Sequence, residues 1–350
     1  MMKKFILTLA LLFNGMAKSE DKVLNPLSGH LVSDCVIYNL SGEILRFFKG
    51  GQLCQFFQDG SYVISIKADL FKKTKSNRVL FKLANIYPHH QINLNNQNNL
   101  LVMGSDTYLT QKNEQIRIDV LYIISQEGNI LKRFSFQGAI DILLKNRTIT
   151  EGKFDKIPEF SSFTENKLEL LHVNSFYQIP KQKQLNKNPY FKENNYVVNS
   201  NNSPFLFILN ESLDKIIQFI PKDRPPFPNI HDVHPTPEGN FIVYNNFDPK
   251  DYIPHSKIEI YDSNLEKKIF SYSRSKPTLF FSKIAGGSQF FSDGSFLFSE
   301  KVNDIPFINY VSKNSEIIKS TRLTWRRLSR GIQQVKVHDL SLFLKNNIPL

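Results

Sequence analysis

HDVHPTPEGNFIVYN (residues 231–245) holds a short strand, a tight turn at Glu238-Gly239-Asn240 and a second strand of alternating apolar residues. The chain repeats this layout. GGSQFFSDGSFLF (286–298) and QLCQFFQDGSYVI (52–64) keep the same spacing from first residue to turn glycine, at Gly294 and Gly60. HQINLNNQNNLLV (90–102) keeps it with Asn98 at the turn, a residue that tolerates positive φ. HVNSFYQIP (172–180) and GIQQVKVHD (331–339) are weaker copies. Six registers therefore begin at residues 52, 90, 172, 231, 286 and 331.

A second repeat interleaves with the first. CVIYNLSGEIL (35–45) reads as strand, turn and strand, and it recurs as LYIISQEGNIL (121–131), FILNESLDKII (207–217), IEIYDSNLEKKI (258–269) and INYVSKNSEII (308–318). Two hairpins per unit make a four-stranded antiparallel sheet, and sheets repeated at this interval make a β-propeller. The expected fold is all-β: six blades in a ring closed by N- and C-terminal strands, with residues 34–48 supplying the third and fourth strands of a blade whose first strand lies at 331–337. A β-sandwich with a small helical piece is the competing architecture, but it does not require the register to be kept six times. The long gap between the copies at 90 and 172 holds an insertion at about 138–170, with a helical-looking start at Ala139–Leu144.

Residues 1–19 read as a signal peptide: Lys3 and Lys4 precede an apolar run from Phe5 to Phe13, and small residues at Ala17 and Ser19 offer cleavage points. The run is too short to span a bilayer. Residues 20–350 then form a single propeller domain, exported to the periplasm or secreted, with no transmembrane segment. Export places Cys35 and Cys54 in an oxidising compartment. Neighbouring positions in the ring put them within bridging distance, as a disulfide or as two buried thiols. The net charge of +12 favours anionic ligands, but the basic residues are scattered. With neither a basic stripe nor a recognition motif, nucleic acid is not an expected partner. No cofactor and no metal site are expected, since two cysteines without nearby histidines do not make a zinc site.

The first strand of each blade lines the axis, so one register converges at one mouth of the channel. It holds Gln52, His90, His172, His231, Gly286 and Gly331. Three positions on lie Gln55, Asn93, Ser175, His234, Gln289 and Gln334. Imidazoles gathered away from water suit acid–base or nucleophilic chemistry, although a single such histidine is more often a hydrogen-bonded interior residue.

At HDVH…PEGNFIVYNN (231–246), preceded by LLHVNS (170–175), the chain resembles the bacterial arylsulfotransferases, over about residues 35–335. The resemblance implies an exported six-bladed propeller that passes a sulfuryl group between phenolic compounds through a sulfo-histidine. It matches His231 and His172 to family site histidines, in the catalytic role; register and resemblance together offer His90, His234, Asn174, Lys250 and Gln289 as substrate-binding groups. The chain also departs from the family. The register of a later-blade histidine holds Gly286, the family arginine is matched by Lys250 and the family tryptophan by Leu171. A lysine supplies a point charge but not the bidentate fork of arginine. Three functions stay open: an active sulfotransferase, a catalytically inactive propeller binding a small anionic or aryl ligand, and an envelope scaffold whose rim binds a partner.

Overall fold

The turn that repeats in the sequence repeats in the backbone. Gly60, Gly239 and Gly294 take φ of 81°, 84° and 88°, and Asn98 takes 60°. In each turn the amide of that residue donates to the carbonyl three residues back, on Phe57, Thr236, Phe291 and Asn95, at 2.9–3.0 Å. Glycine enters this conformation without a Cβ clash and Asn at small cost, which makes the motif legible.

The computed structural model of the protein describes residues 30–33, 35–109, 115–138, 155–156, 168–169, 171–183, 186–200, 205–221, 230–246, 255–273, 286–291, 293–302, 305–312, 316–324 and 336–338. Strands β1 (His30–Ser33), β2 (Val36–Tyr38) and β3 (Ile44–Phe47) come first among the described residues. Blade 1 is β4 (Cys54–Phe56), β5 (Tyr62–Ile66), β6 (Asp69–Lys73) and β7 (Val79–Leu83). Blade 2 is β8 (Ile92–Leu94), β9 (Leu100–Leu109), β10 (Gln115–Ile124) and β11 (Ile130–Ser135), followed by the short β12 (Asp155–Lys156) and β13 (Leu168–Glu169). Blade 3 is β14 (Val173–Gln178), β15 (Tyr196–Ser200), β16 (Phe205–Leu209) and β17 (Ile216–Pro221). Blade 4 is β18 (Ile230–Pro235), β19 (Asn240–Asn245), β20 (Lys257–Asp262) and β21 (Lys268–Tyr272). Blade 5 is β22 (Ser288–Phe290), β23 (Phe296–Val302), β24 (Ile305–Val311) and β25 (Ile317–Arg322). The closing blade has the order β26 (Lys336–His338), β1, β2, β3. This is the expected six-bladed propeller.

Period-2 alternation builds the ring. In β19, Phe241 and Val243 point into a core shared with blade 3, while Ile242 and Tyr244 point into one shared with blade 5. The same division at every blade yields six inter-blade cores. A strand buried on both faces reads as a nearly continuous apolar run, as β19 does.

Two details refine the sequence reading. The strand that pairs with β26 is β1, through His30↔His338, Leu31↔Val337 and Val32↔Lys336. Residues 34–48 then provide the third and fourth strands as expected, and the second is the four-residue β1, which carries no turn signal in the sequence. Blade 2 is also longer than four strands: past the end of β11, β10 pairs in parallel with β13, and β12 adds to that. These strands lie within the stretch read as the 138–170 insertion, whose helical-looking start falls outside the described residues, as does the stretch 1–19 expected to be a signal peptide. No helix among the described residues is long and apolar enough to cross a membrane.

Cys35 is bonded to Cys54, with Cα atoms 5.0 Å apart. Cys35 lies in the turn before β2 at φ 61° rather than in the strand itself. The bond joins the closing blade to blade 1 at the seam of the ring.

Candidate functional site

The predicted register brings three imidazoles together. His90 precedes β8, His172 precedes β14, and His231 lies in β18. The ring of His90 stands 4.8 Å from that of His172, nearly perpendicular, and 5.7 Å from that of His231, centroid to centroid. His231 is buried, and the other two are half-buried. Withdrawal from water, with His172, His89 and His231 and then Arg117 around it, holds the His90 imidazole well below its ordinary pKa. It is neutral at pH 7.

The backbone at these residues is unusual. His90 has φ 60° and His172 has φ 52°. The amide of Gln91 donates to the carbonyl of His89 at 2.8 Å, closing a γ-turn with His90 at its centre. The loop is pinned by Tyr87 N to Ala68 O at 2.8 Å, by Ser105 N to Ile86 O at 3.1 Å and by His89 N to Met103 O at 3.1 Å. Gly104 allows this approach: a Cβ there would meet the Ile86 carbonyl oxygen at 2.2 Å. Positive φ at a non-glycine residue persists only where the surroundings over-determine it.

Three neighbours escaped the sequence reading. His89 places Nδ1 2.8 Å from His90 Nδ1 and donates from Nε2 to the Gly104 carbonyl at 3.1 Å. Asp119 of β10, 1% exposed, sets Oδ1 3.1 Å from the same His89 Nε2, off the axis of that hydrogen bond. Its Oδ2 accepts from the Val173 amide at 3.1 Å, which clamps the chain beside His172. Arg117 donates to Ser105 Oγ at 2.7 Å and lies 4.0 Å from Asp119 Oδ1. The available signal was a carboxylate inside an apolar strand, IDVLYII (118–124).

A second buried group links blades 2 to 5. The Tyr177 hydroxyl lies 2.7 Å from Gln91 Oε1 and 3.1 Å from Asp232 Oδ1. Burial, and then the Asp232 charge, push Tyr177 well above the usual phenol range, so it remains protonated. Asp232 Oδ2 accepts from Ser288 N at 3.3 Å and Ser288 Oγ at 3.1 Å. The His234 ring packs on Tyr177 at 4.2 Å and donates from Nδ1 to the Pro235 carbonyl at 3.1 Å, so it joins this group rather than the three imidazoles. Asn174, 3% exposed, donates to the Ile230 carbonyl at 3.5 Å, and its Oδ1 has no hydrogen-bond partner among the described residues. Gln289 stands half-buried on β22. Lys250 lies outside the described residues.

Blade 5 contributes no imidazole, for a steric reason. A Cβ at Gly286 would lie 2.1 Å from the ring of Tyr244. Tyr244 is fully buried and donates to the Ser299 carbonyl at 2.8 Å. Among the described residues no group of three or more His, Cys, Asp or Glu is placed to hold a metal ion.

No protein-family model and no curated protein matches the chain. Among solved structures, a protein of unknown function from Bacteroides caccae is similar at a TM-score of 0.54 and 12% identity, over 88% of this chain and 97% of that one. The hydrazine synthase of Kuenenia stuttgartiensis is similar at a TM-score of 0.44 and 9% identity, over 81% and 68%. At these identities the likeness concerns the fold alone.

Proposed function

We propose that this chain is a transferase of the arylsulfotransferase type, passing a sulfuryl group between phenolic compounds at the imidazole cluster of blades 2 to 4. The observation that supports it is the convergence of His90, His172 and His231, from three successive blades, within 4.8 and 5.7 Å of one another about His90. The chemistry needs a neutral nitrogen nucleophile and donors for the sulfate oxygens. In the first half-reaction an imidazole lone pair attacks sulfur, the sulfur–oxygen bond to the donor aryl group breaks, and the phenolate leaves with the electron pair. In the second a phenol oxygen attacks sulfur, the nitrogen–sulfur bond breaks, and the phenol's proton passes to a neighbouring imidazole. His172 and His231 take a catalytic role by resemblance, with Asn174 and Arg117 as donors to the sulfate oxygens and His90 as the third imidazole of the cluster.

A second reading is a catalytically inactive propeller that binds an anionic aryl compound. It is favoured by Gly286, which stands where the resemblance calls for a histidine and has no room for one. One experiment separates the two: 4-nitrophenyl sulfate with a phenol acceptor, followed by nitrophenolate absorbance and by mass spectrometry of the protein. Transfer predicts release and a sulfated histidine, abolished in His172→Ala or His231→Ala. Saturable binding of the ester without release or adduct gives the binding reading.

A further inference from the structure

We infer that His90 is the reactive imidazole of the cluster, and that Asp119 and His89 are positioning residues that keep its Nε2 lone pair open and take up its Nδ1 proton. The assignment follows from three contacts in series. His89 Nε2 faces two groups that only accept, the Gly104 carbonyl and the Asp119 carboxylate, each at 3.1 Å, so this nitrogen carries the hydrogen. The relay takes His89 as neutral in the resting protein, which makes its other nitrogen an acceptor. That nitrogen lies 2.8 Å from His90 Nδ1, which must supply the hydrogen of that bond. The lone pair of His90 is then on Nε2, where no hydrogen bond to a described residue engages it.

The surroundings fit a proton relay. When an electrophile adds to His90 Nε2 the ring becomes cationic, and its Nδ1 proton crosses to His89 Nδ1. The resulting imidazolium lies against Asp119 Oδ1, a buried carboxylate oxygen with no hydrogen bond among the described residues. A carboxylate fixing one tautomer of an imidazole is the arrangement that activates nucleophiles in hydrolytic triads. Here a second imidazole is interposed. The γ-turn at His90 and the bare Gly104 are the local features that bring the two rings together. The inference rests on the transfer reading only for the identity of the electrophile; tautomer and nucleophilicity belong to the site.

The test uses diethyl pyrocarbonate on the whole protein, where an imidazole nitrogen attacks a carbonyl carbon, an anhydride carbon–oxygen bond breaks and monoethyl carbonate leaves. We expect His90 to be modified about tenfold faster than His172 or His231 at pH 6, and His89→Phe and Asp119→Asn each to slow it about tenfold. Nitrogen-15 shifts of the unmodified protein require no variant, and they should show His90 with its hydrogen on Nδ1, moving to Nε2 in His89→Phe. Hydrogen on Nε2 of His90 in the wild type, or a His90 rate unchanged in both variants, overturns the inference. So does transfer from 4-nitrophenyl sulfate with the adduct on His172 or His231 and none on His90. Fast His90 modification with the expected tautomer but no sulfuryl transfer upholds the relay and removes the sulfuryl donor as its substrate.

Discussion

At the register where blades 2, 3 and 4 carry His90, His172 and His231, blade 5 carries Gly286. On the first three blades the position is filled by a ring directed at its neighbours. On blade 5 the space a side chain would take is already filled by Tyr244, which reaches over from blade 4 and is tied to the Ser299 carbonyl. The histidine arc is also stitched across its inner strands: Asn93 donates to the Phe176 carbonyl at 2.9 Å, Gln91 to the Asn174 carbonyl at 3.4 Å, and Val233 N to Ser175 Oγ at 3.2 Å. The seam between the closing blade and blade 1 is joined by the Cys35–Cys54 bond. One repeated frame thus supports an arc that gathers titratable side chains and a seam that is tied covalently. The difference lies in side chains that cross from one blade to the next.

Breaking the covalent tie should have the largest effect. The bonded cysteines are 19 residues apart, a loop for which removal costs about 3 kcal/mol, so Cys35→Ser should lower the denaturation midpoint accordingly. His90 reactivity toward diethyl pyrocarbonate should be unchanged in that variant. A parallel loss would show that the arc and the seam are not separate.

Placing a side chain at Gly286 tests the steric account. Gly286→Ala should cost about 1–3 kcal/mol by overpacking, and far less in a Tyr244→Ala background. Equal costs in both backgrounds would place the constraint elsewhere.

The smallest expected effect is on the histidine side. His90 is neutral in the folded protein below the pH at which the unfolded chain protonates it. The unfolded state therefore binds more protons, and stability falls as pH drops below about 6.5, at up to about 1.4 kcal/mol per unit from this group. His90→Asn removes that loss and suits positive φ, so it should be about 1 kcal/mol more stable than wild type at pH 5.5 in urea titrations. The same variant should lose the site's reactivity. An unchanged pH slope would contradict a neutral His90.

The blades, their hairpins and the shared register of the three histidines were legible because each is a local property. A turn glycine marks positive φ, and alternation marks a strand between two cores. Where a turn used neither glycine nor Asn, local reading had less to work with. Leu213 and Leu265 take φ of 54° and 57° in the second-repeat turns, where burial of their side chains in inter-blade cores offsets the backbone cost. The strand β1 was missed for a related reason: HLVS becomes a strand only beside the C-terminal strand, some 300 residues away.

Neighbours along the chain set backbone conformation and side-chain alternation, so the six repeated turns and the number of blades can be read from the residues alone. The chemistry of the histidine cluster comes from the packing of the blades against one another. That packing brought Asp119 to His89 and His89 to His90, set Tyr177 between Gln91 and Asp232, and filled the place beside Gly286 with Tyr244. Apart from the adjacent His89–His90 pair, these contacts join residues tens of positions apart. Their geometry exists only once the ring has packed its blades face to face and fixed the rotamers between them.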